Sequence, residues 1–373
     1  MFRNWPTEHK GYQESVNRLK PHFGQLWKDV GIYDMINLCK ASMPIAKHYI
    51  MGASLFWSTA VHCFCFKFGM MTVTLLDMPA ILNIPVIGER ISPNLDAEVP
   101  TFKLSKAQRS YGPFVKLFMG EEHYKPDVRE HIAFLAFFIA KFIICTSSFR
   151  VTTDCFTLAT ALAEGRKCNL GEFMLAHLYR SLNKIAPHGD NRVFQCPSGP
   201  LWVLQLWLAL YFPELFEVGP QIKAELCGYQ LIAAGTRLPH VLDVLEVFTN
   251  SIRASELFCP ILSLKYLPSW LFVAWDCEDT DEARADPWLK LGGQYWGSSL
   301  KSRNLISGLE YSRSSIEAYC PNYVAHQFGY NQGIPCPLLI SINNRGTYEP
   351  SIEDYPDLQF ILRLNRAYLP PHL

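Results

Sequence analysis

The sequence carries no surplus of charge of either sign: 34 Lys and Arg stand against 34 Asp and Glu in 373 residues. Such a chain has no global basic field, so strong binding to nucleic acid is not encoded in bulk charge. Any contact with DNA is expected to be local or borrowed from a partner. It also lacks a bilayer-length apolar run. The longest, Ile132 to Cys145, is interrupted by Lys141 and falls short of the ~20 residues that span a membrane, so it is expected to be a core helix. Twelve cysteines are present, but only Cys63 and Cys65 form a close pair and no CxxC spacing repeats, which argues against a disulfide framework. The opening MFRNWPTEHKGYQ has no apolar stretch of signal-peptide length, so the thiols are expected to be reduced, in the cytosol or nucleus. No low-complexity tract and no repeat of 20 to 50 residues is visible, which disfavours solenoids and propellers.

Catalytic signatures are equally sparse. The phosphate loop, GxGxxG, HExxH and GxSxG patterns are all absent. Ser181-Leu-Asn-Lys184 and Ser298-Ser-Leu-Lys301 match SxxK, yet neither has the companion motifs of the enzymes that use it, and so short a pattern recurs by accident. His62, Cys63 and Cys65 could offer soft metal ligands. A closed zinc site needs four, however, and adjacent strand residues point to opposite faces, so buried thiols beside a satisfied histidine are expected. His188-Gly189-Asp190-Asn191 superficially resembles a metallophosphatase ligand string and reads better as a polar turn. Trp202 and Trp207 lie in an apolar helix and read as core. Trp288 and Trp296 are freer, but Lys290 and Lys301 make only a thin basic patch for base stacking.

What is present is apolar material and helical pattern. With 49% hydrophobic and 18% charged residues, the chain can offset its conformational entropy, and its length is about two and a half times a common domain. Residues 1 to 53 suggest short helices. HCFCFKF, residues 62 to 68, alternates Phe64, Phe66 and Phe68 with Cys63, Cys65 and Lys67 as a half-buried strand does. Gly69 then permits a turn, a short strand follows, and Thr74 with Asp77 makes a capping-box-like start to a helix reaching Leu82. Residues 84 to 128, rich in Pro and Gly, read as a long connection with short helical pieces. Helices are expected over Ile132 to Cys145, Cys155 to Glu164, Leu170 to Ile185 entered through Asn169 and Glu172, and Leu201 to Phe212 with Pro200 at its first position. Ile222 to Ala234 and His240 to Ile252 continue the pattern. Beyond Ser255 loops and short elements are expected, with a last helix from Leu358 to Tyr368.

Four strings go beyond pattern. They are Trp57 with HCFCFKFGMMTVTLLDMPAILNIPVIGE (62 to 89), LATALAEG (158 to 165) with LGEFMLAHLYRSLN (170 to 183), GPLWVLQLWLALYFPEL (199 to 215) and YCPNYVAHQFGYNQGIP (319 to 335). In this order they resemble the plant mobile domain family, also described as aminotransferase-like, over about residues 25 to 340. The resemblance implies a domain shared by plant transposable elements and nuclear host proteins of the MAIN-like group. Those act in transposon silencing, maintenance of gene expression and meristem integrity, with a phosphatase-like protein of the PPP class as partner. It implies no transaminase activity, and the chain shows no glycine-rich α/β alternation and no marked Schiff-base lysine. Met70, Asn322, Tyr323, His326 and Asn331 depart from the family pattern, and two cations are lost from the last string.

The expectation is therefore a mainly α protein: a helical bundle core with a small β-hairpin near residues 62–73 and an irregular, aromatic-rich C-terminal region. The expected division is an N-terminal segment 1–24, the domain 25–340 with a sub-boundary at 84–128, and a helical tail 341–373. The expected function is non-catalytic, nuclear and cofactor-free, by association with a PPP-type phosphatase-like protein, other plant mobile domain proteins, and chromatin or DNA directly or through partners. His326, Gln327, Tyr330 and Gln332 are the candidate interaction residues. The rival readings are a pyridoxal-phosphate aminotransferase, a metal-assisted hydrolase using His188 and Asp190, and a transposon-encoded accessory protein.

Overall fold

The computed structural model describes residues 4–7, 9–120, 124–186, 198–217, 227–238, 240–249, 287–310 and 314–328, with backbone only for 227 and 287–293. The first helix, α1, runs Lys10–Asp29 as one element rather than as the expected short pieces. Its stripe Tyr12, Val16, Leu19, the partly buried Phe23 and Trp27 recurs at three- and four-residue steps and faces the core. Pro21 falls on the exposed side, where the carbonyl it leaves unpaired can meet water. Two shorter helices follow, α2 (Tyr33–Leu38) and α3 (Lys47–Ser54).

The expected hairpin is present and gains a third strand. Strands β1 (Trp57–Ser58), β2 (Cys63–Phe66) and β3 (Gly69–Met71) pair antiparallel in that order, with Trp57 opposite Phe64 and Phe64 opposite Met71. Phe64, Phe66 and Phe68 are buried while Cys65 and Lys67 are exposed, as alternation requires; Cys63 is buried too. Helix α4 (Asp77–Leu82) begins through a reciprocal cap. Thr74 N and Oγ1 donate to Asp77 Oδ2 at 2.6 and 2.8 Å, and Asp77 N donates to Thr74 Oγ1 at 3.3 Å. Within the connection from 84 to 128 lies α5 (Tyr111–Phe118), and its Ile91, Leu95 and Phe114 join the core.

The apolar run forms α6 (Val128–Phe138), then widens into a π-helical turn, Ile139–Ile143, in which Ile144 N donates to Ile139 O at 2.9 Å. Lys141 is buried there, its ammonium 5.1 Å from the Phe142 ring centroid. Helices α7 (Asp154–Ala163), α8 (Leu170–Ile185) and α9 (Leu201–Tyr211) form the bundle centre. Asn169 caps α8 as the sequence suggested, its Oδ1 accepting from Glu172 N at 3.1 Å. Pro200 occupies the capping position of α9 rather than its first turn.

Beyond α9 come a two-residue ladder of β4 (Phe216–Glu217) with β5 (Gly235–Thr236), and the helices α10 (Cys227–Leu231) and α11 (Val241–Thr249). Among the described residues beyond 286 lie α12 (Pro287–Leu300) and an antiparallel hairpin of β6 (Arg303–Ser307) and β7 (Ser315–Tyr319), with Leu305 opposite Glu317. The pairing β6–β7 is invisible to period-2 reading because burial there does not follow polarity: Asn304, Ser307 and Glu317 are buried while Ile316 is exposed, and Leu305 and Tyr319 enter the same core as Trp27 and Trp202. The expected helix at 358–368 lies outside the described residues.

A buried polar seam as the candidate functional site

Helix α8 places its polar residues in line along one side, and the β6–β7 hairpin packs against that side. At its first turn Glu172 Oε2 accepts from Arg303 Nη1 at 3.0 Å and from Asn169 Nδ2 at 2.9 Å, with Arg90 Nε 3.7 Å from Oε1. Near its end Asn183 joins three elements. Its Oδ1 accepts from Trp57 Nε1 at 2.8 Å, and its Nδ2 donates to Glu317 Oε2 at 2.7 Å and reaches His62 Nε2 at 3.0 Å. With Nε2 accepting, the His62 proton sits on Nδ1 and is donated to Ala318 O at 2.8 Å. Burial lowers the His62 pKa and raises that of Glu317, with the Ser315 hydroxyl and Asn183 amide partly offsetting the second shift. Both shifts disfavour charge, which suits a neutral imidazole in this tautomer.

One layer deeper, Tyr179 OH donates to Val73 O at 2.8 Å and accepts from Thr72 Oγ1 at 3.0 Å. Asp77, fully buried, receives Tyr211 OH on Oδ1 at 2.9 Å in addition to the Thr74 bonds. Burial raises its pKa to about 6, held from going higher by Thr74 and Tyr211. The carboxylate therefore spends its lone pairs on tying α4 to the end of α9. Two glutamines act alike. Gln205 donates to Pro44 O at 2.7 Å and accepts from Ala46 N at 2.8 Å; Gln327 donates to Thr72 O at 2.9 Å and accepts from Thr72 N at 2.7 Å. Each primary amide pairs with main chain as a neighbouring strand would, and so satisfies peptide groups that no strand reaches.

The four expected interaction residues are not brought together. His326 is exposed on a short 3-10 turn, Ala325–Phe328. Gln327 is 3% exposed with both ends of its amide used inside the fold, so a surface-binding role for it is corrected to a structural one. Tyr330 and Gln332 lie outside the described residues, as do His188 and Asp190. His62 and Cys63 are buried while Cys65 is exposed, and no group of three or more His, Cys, Asp and Glu able to hold a metal ion occurs among the described residues. Trp202 and Trp207 are core as expected, and Trp296 joins them; the Trp288 side chain is not described. A pocket between α1, α5 and α6 measures about 20 Å³, room for one water rather than a substrate. The residues that sequence reasoning passed over are Asn183, Gln205, Tyr211 and Glu317. Gln205 had a visible signal, a lone amide within LWVLQLWLALY.

Three of the four strings meet in this seam through Trp57–Asn183, Thr72–Tyr179 and Asp77–Tyr211, and the fourth through Gln327 and Tyr319, whose hydroxyl accepts from Leu75 N at 3.3 Å. The class defined by this geometry is a helical scaffold closed by an internal polar network. A family model described as "Plant mobile domain" matches residues 31–230, more than half the chain, and the protein belongs to that family. No curated protein and no solved structure is detectably similar to it. The hairpin β6–β7, beyond the matched residues, supplies Glu317 and Ala318 to the same network.

Proposed function

We propose that this protein is a non-catalytic nuclear member of its family that works by association with other proteins in silencing transposable elements and controlling gene expression, in meristems among other tissues. The observation that supports this most is the commitment of the polar residues able to carry chemistry. Asp77, His62, Asn183 and Glu317 each hold internal partners, and the shifted protonation of Asp77, His62 and Glu317 follows first from burial. A scaffold of this kind presents function on its surface. The partners in this reading are a PPP-type phosphatase-like protein, other plant mobile domain proteins, and chromatin reached directly or through them.

The test is affinity purification of the tagged protein from plant nuclei with mass spectrometry, alongside a chromatin pull-down. Recovery of a PPP-type phosphatase-like protein or of specific chromatin is the expected result. Folded, soluble protein that recovers neither, or that carries stoichiometric metal or a pyridoxal-phosphate absorbance, would overturn the reading.

A further inference from the structure

Charge is balanced over the chain but not along it. Residues 101 to 120 contain Lys103, Lys106, Arg109 and Lys116 and no acid, and residues 141 to 153 contain Lys141 and Arg150 and no acid. The fold locks these two segments side by side. Ser110 and Arg150 form an antiparallel bridge, Val151 N donates to Arg109 O at 2.9 Å, and Arg109 Nη1 donates to Thr153 Oγ1 at 2.8 Å. Lys141 is buried, but Lys103, Lys106 and Arg150 are exposed and Arg109 is half-buried. None of these four pairs with a described carboxylate, whereas Arg18, Arg90, Arg166 and Arg303 all do. The turn carrying Lys106 is held in place: Ser105 N donates to Gln108 Oε1 at 2.9 Å, and Gln108 N to Ser105 Oγ at 3.3 Å.

We infer that this edge, Lys103, Lys106, Arg109 and Arg150, docks the phosphate backbone of duplex DNA. Between the cations the exposed side chains are Ser105, Ala107, Gln108, Ser147 and Ser148, all small or hydrogen-bonding. The serines and Gln108 offer donors to phosphate oxygens; the two aromatics alongside, Phe102 and Phe149, are only partly exposed, Phe102 being stacked on Phe156, so neither presents an open face to unstacked bases or a large apolar anchor for a protein hot spot. Contact is therefore with backbone, without base readout, and contributes affinity rather than sequence choice. The inference deepens the proposed function by giving it a direct chromatin contact. It is tested on purified protein and naked duplex, so it stands or fails separately from partner recovery.

The experiment is fluorescence anisotropy of the full chain with a labelled DNA duplex over 50 to 200 mM salt. Parallel titrations use a duplex RNA of the same sequence, the single strand and polyglutamate. Four phosphate contacts predict a weakening of about 150-fold across that range, and the triple variant Lys103→Gln, Lys106→Gln, Arg150→Gln is expected to lower the log–log slope by about 3. The control triple Lys10→Gln, Lys47→Gln, Lys67→Gln is expected to keep the wild-type slope, with both variants melting as the wild type does. Absence of duplex binding at 50 mM, an unchanged slope in the first triple, or tighter binding of duplex RNA, single strand or polyglutamate than of duplex DNA would overturn the assignment.

Discussion

Asp77 ties the TVTLLD string to the end of α9, and its burial couples that tie to pH. Its folded pKa of about 6 lies above the ordinary aspartate value of 3.8, so the folded state holds the proton more tightly. The stabilisation is full below about pH 4 and is lost as pH rises through 6, a swing of about 3 kcal/mol. Asp77→Asn removes the titration, so its stability relative to wild type is expected to improve by about that amount between pH 4 and 7 in urea unfolding; a pH-independent difference would contradict this. His131 acts in the opposite sense. Trp27 Nε1 donates to His131 Nε2 at 2.9 Å, and burial lowers the pKa to about 4. Its contribution is present above pH 6.5 and lost as pH falls through 4, again about 3 kcal/mol. His131→Gln keeps an acceptor without the titration and is expected to flatten the acid limb of stability. At this scale the Thr74–Asp77 cap was legible because its partners are three residues apart. The Tyr211 contact, across 134 residues, was not, since spacing carries no information about which distant hydroxyl a carboxylate will meet.

At the scale of elements, two positions set opposite expectations. Pro21 interrupts α1 on its exposed face, and an interior helical proline costs up to about 3 kcal/mol. Pro21→Ala is expected to raise stability by about 1–3 kcal/mol in thermal or denaturant unfolding; destabilisation would show that the proline serves the fold. Gly88 has φ +123°, and a Cβ there would lie 2.4 Å from Lys167 O, where Glu89 N donates to Lys167 O at 2.7 Å just before α8. Gly88→Ala is expected to cost at least about 2 kcal/mol by prising that junction apart, measured the same way. Helices α7 and α8 and the β2–β3 turn were readable because their signals, caps and periodicity, are local. The charges around Pro21 masked the long stripe of α1. The β6–β7 pairing escaped notice because its buried positions include the polar Asn304, Ser307 and Glu317 while Ile316 is exposed, so apolar alternation does not mark the strands.

At the scale of the molecule, the family strings are joined in space by side chains more than 100 residues apart, and the hairpin at 303–319 together with Gln327 completes a network whose other members lie within 31–230. Their order could be read from sequence, but not that they meet in the interior. The most direct measurement compares nuclear partner recovery for wild type with that for Asn183→Ala and Tyr211→Phe, alongside the folded fraction of each at the assay temperature. Removing Asn183 leaves the Trp57, His62 and Glu317 groups short of partners and is expected to cost about 2–4 kcal/mol. Partner recovery should then fall only in proportion to folded protein, and be restored at lower temperature. A variant that is fully folded yet loses its partners would contradict an internal, structural role for the seam.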